Sequence, residues 1–291
     1  MDEDTLFSSQ VDRPLADRMR PETLDAVVGQ EHLLGDGAPL RRMLDTGKLS
    51  SFILWGPPGC GKTTLARILA HTTSLRFTAL SAVFSGVADL RKAFDEAAKL
   101  RMQGTGTLLF IDEIHRFNRA QQDGFLPYVE NGTVVLVGAT TENPSFELNS
   151  ALLSRCKVYV LKPLDHEALR KLLKRSEELM GRAFPADEAG IETLCGLADG
   201  DGRYFINLLE SVYNFTKDGE VLDADEVLKL VQRRPPVYDK DRDGHYNLIS
   251  ALHKSLRGSD TDAALYWMAR ILAGGEDPKY LLRRLTRFAS E

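Results

Sequence analysis

Gly56-Pro57-Pro58-Gly59-Cys60-Gly61-Lys62-Thr63 fills every fixed position of the pattern G-x-x-x-x-G-K-[ST]. Such a loop turns backbone N–H groups inward around an anion, at the positive end of the helix that follows it. Pro57, Gly59, Cys60 and Gly61 supply loop backbone, Lys62 reaches β- and γ-phosphates, Thr63 offers its hydroxyl to Mg²⁺, and Thr64 follows in the same helical turn. A second group lies in "LLFIDEIH", where an apolar run ends in Asp112-Glu113. Carboxylates at the C-terminal edge of a buried strand sit where open α/β sheets bind ligands. Asp112 is read as holding Mg²⁺ through water, and Glu113 as polarising an attacking water. His115 is read as a surface or core residue and set aside. In "GATTENPSF", Thr140, with Thr141 or Asn143 beside it, is placed to hydrogen-bond a γ-phosphate or its water. Arg155, in "SRC", stands between a short helix and an apolar strand. Its fixed fork suits phosphate or carboxylate. By itself such an Arg is commonly a surface or ion-pair residue.

These residues need a scaffold, and the sequence supplies one. Apolar strands are expected at Phe52–Trp55, 76–80, 107–112, 133–140 and 157–161, with helical pattern between them, including an amphipathic stretch near 86–102. Uninterrupted Val/Ile/Leu runs predict strands buried on both faces, as in a parallel sheet. After Pro163 the pattern turns to helical periodicity only, through "DHEALRKLLKRSEELM", "ADEAGIETLCGLAD", "RYFINLLESVYNF" and "ADEVLKLVQR". The expected organisation is an α/β nucleotide-binding domain over 1–163, an all-helical domain over 164–235, and a linker with further helices from near Tyr246 over 236–291. Residues 1–35 are read as a polar, irregular segment broken by Pro14 and Pro21.

Composition narrows the function classes. With 291 residues, 43% of them hydrophobic, the chain can bury a substantial core. A net charge of −5 carries no global nucleic-acid signature, so any such contact must be local. Cys60, Cys156 and Cys195 lack metal-site spacing and fit a reducing compartment. "MDEDTLFSSQ" is acidic where a secretion signal would be basic, and no apolar run nears about 18 residues. A cytoplasmic protein without membrane contact is expected. Asp239–Gly244 spells half of a calcium loop, yet Ser250 stands where the bidentate Glu belongs, so it is read as linker.

The order of phosphate loop, Asp-Glu strand, polar strand end, "SRC" and helical "GDGR" (200–203) resembles an AAA+ ATPase of the clamp-loader clade. "PLADRMRP", "VVGQEHLLG", "FIDEIHRFN" and "DAALYWMARILAGGEDP" are similar to the replication-associated recombination protein A family, from about Arg13 to the end. The resemblance implies an ATP- and Mg²⁺-dependent, DNA-stimulated ATPase working at stalled or gapped replication forks. It implies that Val28 and Gly29 cradle adenine under a closing N-terminal segment. It implies that Arg155 reaches in trans into a neighbouring subunit's site, and that Arg203 senses the γ-phosphate in cis. Implied partners are forked and junction DNA, single-strand-binding protein, and further copies of the chain, typically a tetramer. Two departures stand out. Tyr204 follows Arg203 where the family has a second basic residue, and the family continues past Glu291 into an oligomer-building helical region, so the chain reads as C-terminally truncated. Absence of the ubiquitin-binding zinc finger of the eukaryotic relative favours the bacterial type. A nucleotide-gated adaptor, a clamp loader and a branch-migration ATPase remain as alternatives. Lys254, Arg257, Arg283, Arg284 and Arg287 are available for DNA phosphates, and solvated helix faces explain them equally well.

Overall fold

The apolar runs fold as five strands in the computed structural model, which describes residues 13–47, 49–217, 219–231, 252, 255–273, 281, 282, 285 and 286. They are β1 (Phe52–Trp55), β2 (Arg76–Ser81), β3 (Thr107–Asp112), β4 (Val134–Thr140) and β5 (Lys157–Val160), paired in parallel in the order β2-β3-β4-β1-β5. Three helices precede the sheet: α1 (Leu15–Arg18), α2 (Glu31–Leu34) and α3 (Pro39–Asp45). Parallel pairing demands crossovers. These are α4 (Lys62–Thr72), α5 (Val87–Met102), the pair α6 (Arg119–Asp123) and α7 (Leu126–Glu130), and the pair α8 (Pro144–Glu147) and α9 (Ser150–Leu153). After β5 come α10 (His166–Met180), α11 (Glu188–Ala198), α12 (Gly202–Phe215) and α13 (Ala224–Leu230).

Successive strand residues point to opposite faces, which explains why the runs are uninterrupted. Phe52, Leu54, Leu108, Phe110, Val137 and Ala139 meet Leu65 and Leu69 of α4 on one face. Ile53, Leu109, Ile111 and Leu136 meet Leu90 and Phe94 of α5 on the other. Burial on both faces holds for the three inner strands only. β2 and β5 each have one partner strand, and Val158 and Val160 of β5 are exposed. One glycine is needed for close approach: a Cβ on Gly138 of β4 would lie 2.9 Å from Cδ1 of Ile114. The gap admits Ile114 and so seats the 3₁₀ turn Ile114–Arg116 that follows β3.

Helices α10, α11, α12 and α13 begin at Asp165, Asp187, Asp201 and Asp223, each accepting a hydrogen bond from the third backbone N–H beyond it. Each such cap stabilises by roughly 1 kcal/mol. Their apolar faces share a core that includes Leu169, Leu173, Leu194, Phe205 and Leu209, joined by Leu15 and Met19 of the N-terminal segment. Leu24, Leu33 and Leu34 of that segment enter the sheet's core instead. The described residues of the segment, from 13 on, therefore form two short helices and a 3₁₀ turn, where the sequence suggests irregular chain. Packing, not propensity, holds helices this short.

Gln30 ties the segment to the end of the sheet. It is 1% exposed, its Nε2 donates to the Lys162 carbonyl at 2.8 Å, and its Oε1 accepts from the Lys162 N–H at 3.1 Å. Gln30→Ala leaves both backbone groups without these partners, and a loss of about 2 kcal/mol is expected in urea unfolding. A loss below about 0.5 kcal/mol would contradict this account.

Contacts divide the chain into units Met1–Val231 and Gln232–Glu291. In the second, Leu252, Ala264, Ile271 and Leu281 form a core around the helix Thr261–Ala273, and Arg257 is exposed. Tyr246, Asp239–Gly244, Lys254, Arg283, Arg284 and Arg287 lie outside the described residues. No described helix is long and apolar enough to cross a membrane.

Candidate active site

The loop between β1 and α4 has Gly59 at φ 68° and Gly61 at φ 99°, left-handed values that favour glycine. Lys62 starts α4, and its Nζ donates to the carbonyls of Gly56 at 2.7 Å and Pro57 at 2.9 Å. Burial pushes the Cys60 thiol up, against the pull of Lys62, so Cys60 contributes backbone and bulk rather than a thiolate. The loop borders a cavity of ≈ 650 Å³. Pro58 to Thr64, Asp112, Glu113, Thr141 and Arg203 line it, together with Pro14, Met19, Val27 and Val28 of the N-terminal segment. Gly29 sits behind Val28, where a Cβ would lie 2.8 Å from Cδ2 of Leu164.

Asp112 ends β3, and Glu113 leaves the strand at φ 52°, ψ 47°. A left-handed Glu costs about 1–3 kcal/mol and persists only where surroundings impose it. Burial first, then Asp112, raises the Glu113 carboxyl above its ordinary range, while Lys62 and the Thr141 backbone oppose the rise. Thr141 Oγ1 donates to Glu113 Oε2 at 3.5 Å.

Thr140 is placed differently from the expectation. It is fully buried, does not line the cavity, and spends its hydroxyl on its own loop: Oγ1 donates to the Glu142 carbonyl at 3.2 Å and accepts from the Glu142 N–H at 3.0 Å. Thr141, one residue on, faces the cavity. His115, set aside in the sequence, is buried against this loop, with Nδ1 2.9 Å from Thr140 Oγ1.

Arg203 enters the cavity from the first turn of α12, and Asp201 anchors that turn by accepting from the Tyr204 N–H at 2.8 Å. The same Asp201 abuts the phosphate loop, since a Cβ on Gly59 would lie 1.9 Å from its Oδ1. Arg155 is outside the cavity. It precedes β5, and β5 runs parallel to β1, so Arg155 lies at the opposite end of the sheet from the loop. Four strand residues put roughly 13 Å between those ends. There its Nε donates to Glu130 Oε1 at 2.6 Å and its Nη1 to the Ala151 carbonyl at 2.8 Å.

The donor set also bears on a metal. The Thr63 hydroxyl and the Asp112 carboxylate line one cavity beside a phosphate-type loop. Hard oxygen donors with room for waters fit Mg²⁺.

Comparison with known proteins shows the family of the chain. Residues 52–164 match the ATPase family associated with various cellular activities (AAA), residues 180–257 the AAA C-terminal domain, and residues 258–291 the MgsA AAA+ ATPase C terminal. Replication-associated recombination protein A of Haemophilus influenzae is 47% identical over 286 residues, covering 96% of this chain and 64% of that protein. The Bacillus subtilis protein of the same name is 38% identical over 288 residues, covering 96% and 67%. The chain belongs to the replication-associated recombination protein A family. It spans about two thirds of the length of these family members. The family's fold is shared more widely: the Thermotoga maritima RuvB Holliday junction branch migration motor superposes with a TM-score of 0.61 at 27% identity, covering 82% of this chain and 80% of that one.

Proposed function

We propose that the chain is a Mg²⁺-dependent ATPase that acts on DNA at stalled or gapped replication forks. The observation that carries the reading is the convergence of Lys62, Thr63, Asp112, Glu113 and Arg203 on one cavity. In hydrolysis a water oxygen bonds to the γ-phosphorus as the bond to the ADP oxygen breaks. Glu113 orients that water and accepts its proton, while Lys62 and Arg203 neutralise charge on the phosphates. Thr63, and Asp112 through water, would hold Mg²⁺, which supplies further charge neutralisation when bound. Val28 and its neighbours enclose the adenine. Arg155 acts on the ATP of a neighbouring copy, a role supported by its place at the far end of the sheet from its own cavity.

Partners follow from the same reading. The names of the relatives refer to replication and recombination, and that of the structural neighbour to a DNA junction. They support DNA as the substrate, and the proposal extends this to forked DNA, to single-strand-binding protein as a partner and to the cytoplasm as the location. The chain works as a homo-oligomer, tetrameric when the family's oligomer-building region is present. The test is steady-state ATP hydrolysis across protein concentration, with and without forked DNA carrying a single-stranded gap. A rate per subunit that climbs with concentration and rises with DNA is expected. A flat rate indifferent to DNA overturns the DNA-acting oligomer.

A further inference from the structure

His115 stands two residues past Glu113, and the left-handed backbone at Glu113 turns its ring back toward that carboxylate. Nδ1 lies 3.3 Å from Glu113 Oε2 and 2.9 Å from Thr140 Oγ1, and Nε2 lies 3.2 Å from Glu142 Oε1. The side chain is only 4% exposed. Thr140 has a single hydroxyl proton, directed at the Glu142 carbonyl, so its Oγ1 is an acceptor toward the ring. Nδ1 therefore carries its hydrogen toward Thr140 Oγ1, and the same edge of the ring lies in close contact with Glu113 Oε2. Ile114, seated in the gap at Gly138, fixes the turn that carries the ring. The ring is thus anchored on the β4 loop by Thr140, with Glu142 beside its other nitrogen, and it reaches Glu113 at a shorter distance than the Thr141 hydroxyl does.

We propose that His115 is a positioning residue for hydrolysis, holding the Glu113 carboxylate at the cavity edge through the close contact made by the Nδ1 edge of its ring. This rests on the reading of Glu113 as the group that activates water. Glu113 has rotatable bonds that solvent would otherwise let roam, and a misplacement of about 1 Å at a reacting group costs on the order of 10²-fold in rate. His115 touches no substrate in this role, so its loss changes turnover and leaves nucleotide affinity alone.

The test uses His115→Ala, His115→Asn and His115→Gln, each alone and combined with Glu113→Gln. Single-turnover ATP hydrolysis, the Kd for a fluorescent ATP analogue and the thermal midpoint are measured for each. An Asn side-chain N–H occupies the Nδ1 position, and a Gln N–H the Nε2 position. His115→Ala is expected to lower the hydrolysis rate about 10²-fold with Kd within about twofold. Asn should recover most of the loss and Gln little, and Ala should add nothing in the Glu113→Gln background. The proposal is overturned if Ala keeps the rate within about threefold, if Gln recovers as well as Asn, or if Ala slows the Glu113→Gln chain as much as the parent. The Asn and Gln variants keep the comparison decisive should Ala fail to fold. Should Glu113→Gln itself hydrolyse at the parental rate, the water-activating role of Glu113 falls, and the role of His115 falls with it. That outcome is read from the single Glu113 variant, apart from the His115 series.

Discussion

Arg155→Ala is expected to lower ATP turnover by about 10³-fold or more while leaving nucleotide affinity within about twofold. A factor of 10³ is about 4 kcal/mol of transition-state stabilisation. The ion pair that holds Arg155 to Glu130 is largely exposed. Such a pair is worth about 0–1 kcal/mol. The proposed phosphate contact would therefore outcompete the Glu130 pair for the guanidinium. Because Arg155 sits at the far end of the sheet from its own cavity, the defect should be repaired from outside. Arg155→Ala subunits keep an intact cavity, and Lys62→Ala subunits keep an intact Arg155. Each is expected to be inactive alone, and their mixture to regain hydrolysis. No recovery in a mixture shown by light scattering to co-assemble would falsify action between subunits.

Glu113→Gln is the second large effect. Removing the water-activating carboxylate lowers hydrolysis about 10²–10⁴-fold. Gln can still accept from Thr141 Oγ1 at its remaining oxygen and keep its contact with the His115 ring. Folding and ATP binding should therefore persist, and the variant traps ATP on the protein. Retained radiolabelled ATP on a filter, alongside the rate, reads both quantities. Loss of binding in place of loss of rate would reassign Glu113 from water activation to nucleotide contact. The same variant separates a motor from an adaptor: a motor loses its action on forks, and an adaptor that needs only bound ATP keeps it.

How much of this was legible depends on the range of the interaction. The phosphate loop and Asp112-Glu113 were readable because their chemistry is written in consecutive residues and their strands are uninterrupted apolar runs. The four aspartate caps of α10 to α13 are local for the same reason. The choice between Thr140 and Thr141 was not legible, because alternation along a strand sends neighbours to opposite sides and the register at a strand's end fixes which one faces the cavity. His115 was passed over because nothing local distinguishes a buried polar bridge from a surface His. A left-handed Glu113, decided by the Ile114 and Gly138 packing, makes the difference. Gln30 and Lys162 are 132 residues apart, and no periodicity carries a pairing of that kind. The exposed faces of β2 and β5 follow from strand order, which a parallel pattern leaves open.

Gly59 and Asp201 belong to parts of the chain 142 residues apart (201 − 59), yet they occupy one space. At 201 the residue must be short enough to clear the loop and must present an acceptor to the Tyr204 N–H. At 59 the residue must tolerate left-handed backbone and carry nothing that fills the gap. Inheritance is therefore constrained as a pair. Enlarging position 59 requires position 201 to shrink first, and among shorter residues only one that keeps a side-chain acceptor, such as Ser, preserves the cap that anchors the turn bearing Arg203. Space at the loop and the start of a distant helix are therefore one constraint, and change at either position is limited by the residue at the other.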